Sequence, residues 1–476
     1  MISKLLVANR GEIAVRIMRT AADMGIRTVA VYPLDDRESL HVRTADEALQ
    51  LGGEGPAAYM DIHSVVHAAQ VTGADAVHPG YGFLAENAGF AAACEAAGLG
   101  FVGPTPATLA LFGDKPQARA HASKVGVPVT RATEGPTGLA EAEAFLASLA
   151  PDAVILVKAV AGGGGRGIRA VQHPSGLSEA MDRCAAEALR SFGDADVYVE
   201  ELVAGARHVE VQIVGDGAGA VAVLGERDCS IQLRRQKLVE IAPAPGLHPR
   251  TRERLGSYSR SLTEGLRYRS LGTMEFLVAD AANVDAGIVF LECNPRIQVE
   301  HGVTEEIFAV DLVARQLLVA AADPDALADL PGRSRGVAVQ ARVNLERVDA
   351  SGSVVPTGGT VAVFQPPTGP GIRVDTYAVA GYSTNPRYDP LLAKVVAYSP
   401  SESPEVALRR LGRALEDLQI LGVCTTAGLA RAIVGRGELV TGDRDTTWLE
   451  TNIADLVAHS GDPAVAPVSA GVVAPM

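Results

Sequence analysis

The stretch Gly287-Ile-Val-Phe-Leu-Glu-Cys-Asn-Pro-Arg-Ile-Gln-Val-Glu300 passes from an apolar, β-branched run into dense charge. Such a run, bounded by charge, reads as a strand whose end opens on a site. Glu292 and Glu300 supply the carboxylate oxygens that magnesium takes, often while it bridges to substrate phosphates. The Arg296 guanidinium suits a small planar anion. A merely solvated charge run would not keep Ile297 and Val299 between its charges. If the strand continued, Arg296, Gln298 and Glu300 would share one face.

Outward from this stretch, Thr273-Met-Glu-Phe-Leu-Val278 pairs with Ile288–Glu292 as a hairpin, so Glu275 is expected to face Glu292. Two carboxylates on neighbouring strands repel unless a cation lies between them, which makes this pair a candidate magnesium site. His208–Val214 and Ala220–Leu224 flank Gly215-Asp-Gly217 as an earlier hairpin. Near the N-terminus Lys4–Ala8, Thr28–Tyr32 and Ala74–His78 are apolar strands. They alternate with helices such as Gly11–Met24 up to about Lys115, which predicts a doubly wound parallel sheet. The loop His78-Pro-Gly-Tyr-Gly-Phe-Leu-Ala-Glu-Asn87 follows a strand, where such sheets carry ligands. The first βα turn has no GxGxxG, which argues against a dinucleotide there.

Between these regions, Val154–Lys158 is a strand followed almost at once by Gly162-Gly-Gly-Gly-Arg-Gly167. Glycine amides can approach phosphate oxygens closely, and Lys158 adds a point charge. The spacing is not that of a P-loop. Val197–Val203 reads as a strand leading into a hinge whose backbone could read an adenine edge.

The chain has 476 residues, which suggests about three domains. Its net charge of −14 argues against nucleic acid or an anionic membrane as partner, though not against a local nucleotide pocket. Five cysteines without a CxxC pair fit a reducing, cytoplasmic setting.

The strings HPGYGFLAEN from His78, GGGGRG from Gly162, RDCSIQ from Arg227, QKLVEIAPAP from Gln236, NPRIQVEH from Asn294 and YDPLLAK from Tyr388 stand in one order. In that order the chain resembles the biotin carboxylase component of biotin-dependent carboxylases, an ATP-grasp enzyme, from Lys4 to about Asn452. The resemblance implies an α/β fold with a doubly wound domain at 1–115, a glycine-rich lid at 116–203 and a C-terminal α+β domain at 204–455 with a mainly antiparallel sheet. A linker at 456–476 would follow, its end similar to the opening of a biotin carrier domain.

The implied reaction is ATP- and bicarbonate-dependent carboxylation of biotin through carboxyphosphate. Lys115 and Lys158 would contact ATP phosphates under a lid formed by the Gly164 and Gly165 amides. Glu200, Glu201, Leu202 and Val203 would form the adenine hinge, with His208, Gln232, Arg235 and Leu277 lining the nucleotide site. Glu275, Glu292 and Asn294 would hold Mg2+, or Mn2+ in its place. Lys237, Arg296, Gln298 and the Val299 backbone would hold bicarbonate, Glu300 would take its proton, and Arg342 would face biotin. Implied partners are a biotin carrier and a carboxyltransferase, within a homo-oligomer or larger assembly.

The chain departs from the family at Arg235, which replaces a nucleotide-contacting histidine, at Glu201, and at Val343–Asp349 beside Arg342. His301 reads as a structural hydrogen-bonder rather than a second base. Another ATP-grasp ligase would have no need of the RIQVE pocket. A non-catalytic nucleotide-binding module would tend to lose its base or metal ligands, and none is missing.

Overall fold

The computed structural model describes residues 2–160, 167–281 and 287–461. Near the N-terminus a five-stranded parallel sheet runs in the order Glu47–Gln50, Arg27–Tyr32, Lys4–Val7, Ala76–His78, Gly100–Phe101. Lys4–Val7 is buried along its whole length because helices cover both faces. Leu5 and Val7 pack with Ile13, Ile17 and Ala21 of the helix Gly11–Asp23, while Leu6 packs with Val65, Ala68 and Phe90 on the other face. The loop 78–87 lies at the carboxyl end of its strand, and Asn9 Nδ2 ties it down through the carbonyls of Pro79 (2.6 Å) and Tyr81 (2.8 Å). Gly80, at φ +64°, leaves no room for a Cβ, which would sit 2.8 Å from that same amide.

A separate small sheet, Ile168–Val171, Ile155–Ala159 and Val197–Glu201, is antiparallel. The helices Leu139–Ala147 and Leu177–Phe192 give it its own apolar core, with Ala142, Leu146, Ile155, Val157 and Leu177. Of the glycine-rich loop that follows Lys158, Gly164 and Gly165 lie outside the described residues.

The largest sheet has eight antiparallel strands in the order Gly287–Asn294, Arg269–Ala279, Ala206–Asp216, Val221–Leu233, Gln236–Ala242, Val337–Asn344, Leu391–Ser399, Ile372–Thr376. The helix Pro404–Asp417 covers one end, and its Leu408, Leu411 and Leu415, at three- and four-residue spacing, are buried core together with Leu418 just beyond it. Cys94, Cys184, Cys229 and Cys293 are buried and all five cysteines are unpaired. No helix among the described residues is long and apolar enough to cross a membrane. The expected linker at 456–476 is helical as far as His459, where the helix Trp448–His459 ends, and its last residues lie outside those described.

Candidate active site

Strand register builds the site. Glu292 lies opposite Glu275, Glu275 opposite Glu210, and Glu210 opposite Arg227, so one charged row crosses four strands. Farther along the sheet, Arg342 lies opposite Lys394, and Lys394 opposite Asp375. Side chains of a strand alternate between faces, so Val209, Val211 and Ile213 pack into the core while His208, Glu210 and Gln212 face the other way.

At the centre stands Lys237. Its Nζ is 2.6 Å from Glu210 Oε2, 2.9 Å from Glu275 Oε1 and 2.7 Å from Glu300 Oε1. Arg342 donates to both Glu240 (Nε, 2.6 Å) and Glu300 (Nη2, 2.9 Å). The fully buried Arg227 donates to Glu210 at 2.5 Å and to Gln212 and Thr304 at 2.8 Å each. Burial by itself would raise the Glu300 carboxyl, but Lys237, Arg342 and Arg227 outweigh it and hold Glu300 well below the usual carboxylate range. Glu275 is lowered too, because Lys237 and His208 overcome its burial. The same three carboxylates push Lys237 well above an ordinary lysine.

The expectation that Arg296, Gln298 and Glu300 share a strand face is not met. The strand ends at Asn294, Pro295 supplies no amide to continue the ladder, and Glu300 caps the helix His301–Phe308. The three side chains converge from a loop instead. Arg296 donates to Gln298 Oε1 at 2.7 Å and Asn294 Oδ1 at 2.9 Å, and Gln298 Nε2 donates to Glu275 Oε1 at 3.0 Å. Arg296 Nε also reaches 2.5 Å to Glu86 of the 78–87 loop. His301 Nδ1 donates to the Gln298 carbonyl at 2.7 Å, and burial together with Lys394 keeps the ring neutral, which makes it a structural hydrogen-bonder.

The metal question turns on which oxygens are committed. The closest groups of metal-type donors are His208, Glu210, Glu275 and Glu210, Cys229, Glu300. Lys237 already contacts a carboxylate oxygen of Glu210, Glu275 and Glu300, so it fills the place of a cation there. Asn294 donates to Glu275 at 2.9 Å and accepts from Arg296. Glu292 makes no hydrogen bond or ion pair among the described residues. Burial and the facing Glu275 raise its carboxyl, while Lys115 and Lys158 pull the other way. A carboxylate raised by its neighbour and without a donor among the described residues fits a divalent cation, with Glu275 opposite it and Asn294 two residues on.

Where the sequence leads one to expect the nucleotide, Lys158 Nζ is 3.2 Å from Glu200 Oε2, and Arg119 Nη1 is 3.5 Å from the same oxygen. Tyr198 donates its hydroxyl to Glu200 at 3.0 Å. Glu200 is buried, so its side chain holds Lys158 and only its backbone is left for the expected hinge. The Glu201 and Leu202 amides are spent on the carbonyls of Arg131 and Val154, each at 2.8 Å, which leaves the Val203 amide without a partner among the described residues. Lys115 begins the helix Lys115–Lys124, and burial with the nearby Lys158 lowers its pKa. Gln232 Nε2 donates to His208 Nδ1 at 2.6 Å, with His208 Nε2 2.8 Å from Glu275 Oε2 and Leu277 opposite His208 in register. Arg235 is exposed at a two-residue turn in which Arg234 and Arg235 both have positive φ, +51° and +66°.

Sequence reading missed Glu86, Glu210, Glu240 and Arg227, although the polar alternation of His208–Gln212 was a signal for Glu210. Together the parallel domain, the small three-stranded sheet and the large antiparallel sheet form the ATP-grasp architecture. The computed model superposes on the biotin carboxylase domain dimer of the Hydrogenobacter thermophilus 2-oxoglutarate carboxylase, solved with MgADP, ADP and bicarbonate. That match has a TM-score of 0.89 at 38% identity and covers 96% of this chain and 99% of that one.

Three family models match in order: biotin carboxylase N-terminal domain at residues 1–109, carbamoyl-phosphate synthase L chain ATP-binding domain at 114–326, and biotin carboxylase C-terminal domain at 340–451. The chain belongs to the biotin carboxylase family. It is 40% identical over 450 residues to biotin carboxylase of Nostoc sp., covering 94% of this chain and 98% of that protein. It is 43% identical to human mitochondrial pyruvate carboxylase, covering 95% of this chain but 38% of that protein.

Proposed function

We propose that the protein transfers carboxylate from bicarbonate to a ureido nitrogen of biotin at the expense of ATP, by way of carboxyphosphate. The observation that carries this reading is Glu300 held ionised between Lys237 and Arg342, on the same Lys237 that meets Glu275, the cross-strand partner of the raised Glu292. Bicarbonate enters among Arg296, Gln298, Lys237 and the Val299 backbone, where donors already stand in place. By taking Lys237 as its own counter-ion it weakens the Lys237–Glu300 pair, and Glu300 gains the basicity to accept the bicarbonate proton. The freed oxygen attacks the γ-phosphorus of ATP, giving ADP and carboxyphosphate, while Lys115 and Lys158 spread the phosphoryl charge. Mg2+, or Mn2+, held by Glu292, Glu275 and Asn294 would supply further charge neutralisation on those phosphates.

Carboxyphosphate collapses to carbon dioxide and phosphate. The phosphate takes the ureido proton and the nitrogen attacks carbon dioxide. Arg342, kept in place through Nε by Glu240, can release Nη2 from Glu300 to the developing ureido oxyanion. A lid around Gly164 and Gly165 would exclude water from the labile intermediate. Glu201, Leu202 and Val203 would frame the adenine, with the Val203 amide as the free donor, and His208, Gln232, Arg235 and Leu277 around it.

We assign the carrier and the carboxyltransferase as partners, in line with the share of human pyruvate carboxylase outside the match. The related structure's domain dimer supports a homo-oligomer. A cytoplasmic setting is supported by the unpaired thiols, and the unit boundaries near 115, 203 and 455 are part of this reading. The test is ADP release with Mg2+ and bicarbonate, with and without free biotin. Turnover that requires bicarbonate, rises with biotin and vanishes in Glu300→Gln is the expected result. ATP binding without bicarbonate-dependent turnover would refute the reading.

A further inference from the structure

YDPLLAK ends at Lys394, a lysine with no solvent exposure and no part in the chemistry above. Its Nζ donates to the Val299 carbonyl at 2.9 Å and lies 3.0 Å from Glu12 Oε1 and 3.6 Å from Asp375 Oδ2. These partners come from three distant segments: the loop before the base, the first helix of the parallel domain and the edge strand of the large sheet. Glu12 also accepts from the Tyr81 hydroxyl of the 78–87 loop. Desolvating an ammonium is costly, so a lysine buried this deeply persists only where its contacts return the cost.

Register makes the contact more telling. Lys394 and Arg342 are direct cross-strand partners, two cations side by side, an arrangement that is unfavourable by itself. Each is neutralised by its own carboxylates, and each reaches the same short loop. Arg342 holds the Glu300 side chain and Lys394 holds the carbonyl one residue earlier. The preceding peptide is pinned as well, through His301 on the Gln298 carbonyl. The two successive peptide planes that present the Val299 amide and carry Glu300 are thus both fixed at their oxygens.

We propose that Lys394 is a positioning residue for the bicarbonate pocket: by clamping the Val299 carbonyl to Glu12 and Asp375, it fixes the backbone that aims Glu300 and the Val299 amide. This rests on the function proposed above. The clamp also ties the aim of the base to the parallel domain, through Glu12 and Tyr81. Its partners among the described residues are Val299, Glu12 and Asp375, none of them assigned to the nucleotide, so the effect of losing it should be selective for bicarbonate.

Lys394→Met alone strands Glu12, whose other oxygen already lacks a partner, and this variant risks misfolding. The carrying variant is therefore Glu12→Gln/Lys394→Met, which removes one charge of each sign. Asp375 keeps Arg373 at 2.9 Å in that variant. Steady-state ADP release would be measured with MgATP, bicarbonate and free biotin, alongside a melting curve and MgADP binding. The expected result is a folded protein whose ATP KM stays within about twofold of wild type while kcat/KM for bicarbonate falls about tenfold or more, the scale of one lost charged hydrogen bond. Unchanged bicarbonate kinetics in the folded variant would overturn the proposal, as would parallel losses for ATP and bicarbonate, which mark a general structural role. Absence of bicarbonate-dependent turnover in the wild type would instead refute the functional reading, and this inference with it.

Discussion

The proposed nucleotide side of the site, around Lys158, and the proposed bicarbonate side, around Lys237, differ in how tightly their lysines are paired. Around Lys158, among the described residues, the contacts are 3.2 Å to Glu200 and 3.5 Å from Arg119 to the same carboxylate. Around Lys237 three carboxylates crowd within 2.6–2.9 Å, and Glu300 is gripped from two directions. A polyanionic nucleotide brings its own charge, so a lysine such as Lys158, 3.2 Å from its carboxylate, can turn to it. Bicarbonate brings only one charge, and its pocket must be arranged beforehand by internal pairs that the substrate then redistributes. The small sheet has an apolar core of its own, whereas the loop that carries Glu300 is tied to the large sheet through Lys237, Arg342 and Lys394.

The largest break in that contrast is expected from Glu300→Gln, which should lower bicarbonate-dependent ADP release by about 10²–10⁴-fold, the usual worth of a positioned base. ADP affinity, measured by calorimetry, should stay near wild type; a comparable loss of ADP binding would mean that the two sides are not separable. Next comes Lys237→Met, which leaves Glu210, Glu275 and Glu300 facing one another. Removing one partner of a buried ionic cluster costs about 3–5 kcal/mol, so its melting temperature should fall well below that of Lys158→Met. Equal melting temperatures would remove the distinction between a locked and a loose side. Lys158→Met itself should raise the ATP KM by about tenfold, the worth of one charged contact, with little change in bicarbonate KM.

The smallest expected effect sharpens the comparison through pH. Burial and Glu275 raise Glu292, so the folded, metal-free protein holds that proton to higher pH than the unfolded chain does. The like-charge penalty is absent at low pH and grows as pH rises through the folded value. Mg2+ takes the ionised carboxylate, so the rise in melting temperature on adding Mg2+ alone should grow as pH rises above the ordinary carboxylate range. Glu300 and Glu275 run the other way: being depressed, their stabilisation is complete above the ordinary value of 4.5 and is lost only as pH falls through their lower folded values. They do not contribute to that growth with rising pH. Glu292→Gln should remove the Mg2+ response and modestly stabilise the metal-free protein; a Glu292→Gln protein that still responds to Mg2+ would place the cation elsewhere.

Legibility followed sequence separation. Glu275 faces Glu292 because a local hairpin sets their register, and a hairpin is visible in alternation and turn residues. Glu240, Glu86 and Lys394 were not singled out, since their partners Arg342, Arg296 and Glu12 lie far away along the chain. The strand drawn through Arg296–Glu300 failed for a local reason: two-residue spacing suggested a shared face, but Pro295 ends the ladder and a helix begins at His301. Arg235 was singled out as a departure, and only the structure places it on a tight turn whose two central residues have positive φ.

By itself the sequence determined the order of the units, the alternating pattern of the parallel domain, the paired carboxylates and the motif set that assigns the family, because each is written in residues close together along the chain. Tertiary structure alone decided which cation each buried carboxylate answers to. Lys237 could have met any of several glutamates, and only the packing of eight strands brings Glu210, Glu275 and Glu300 to one ammonium. Coulomb energies in a poorly solvated interior depend on distance and burial, and neither is set before the strands are paired.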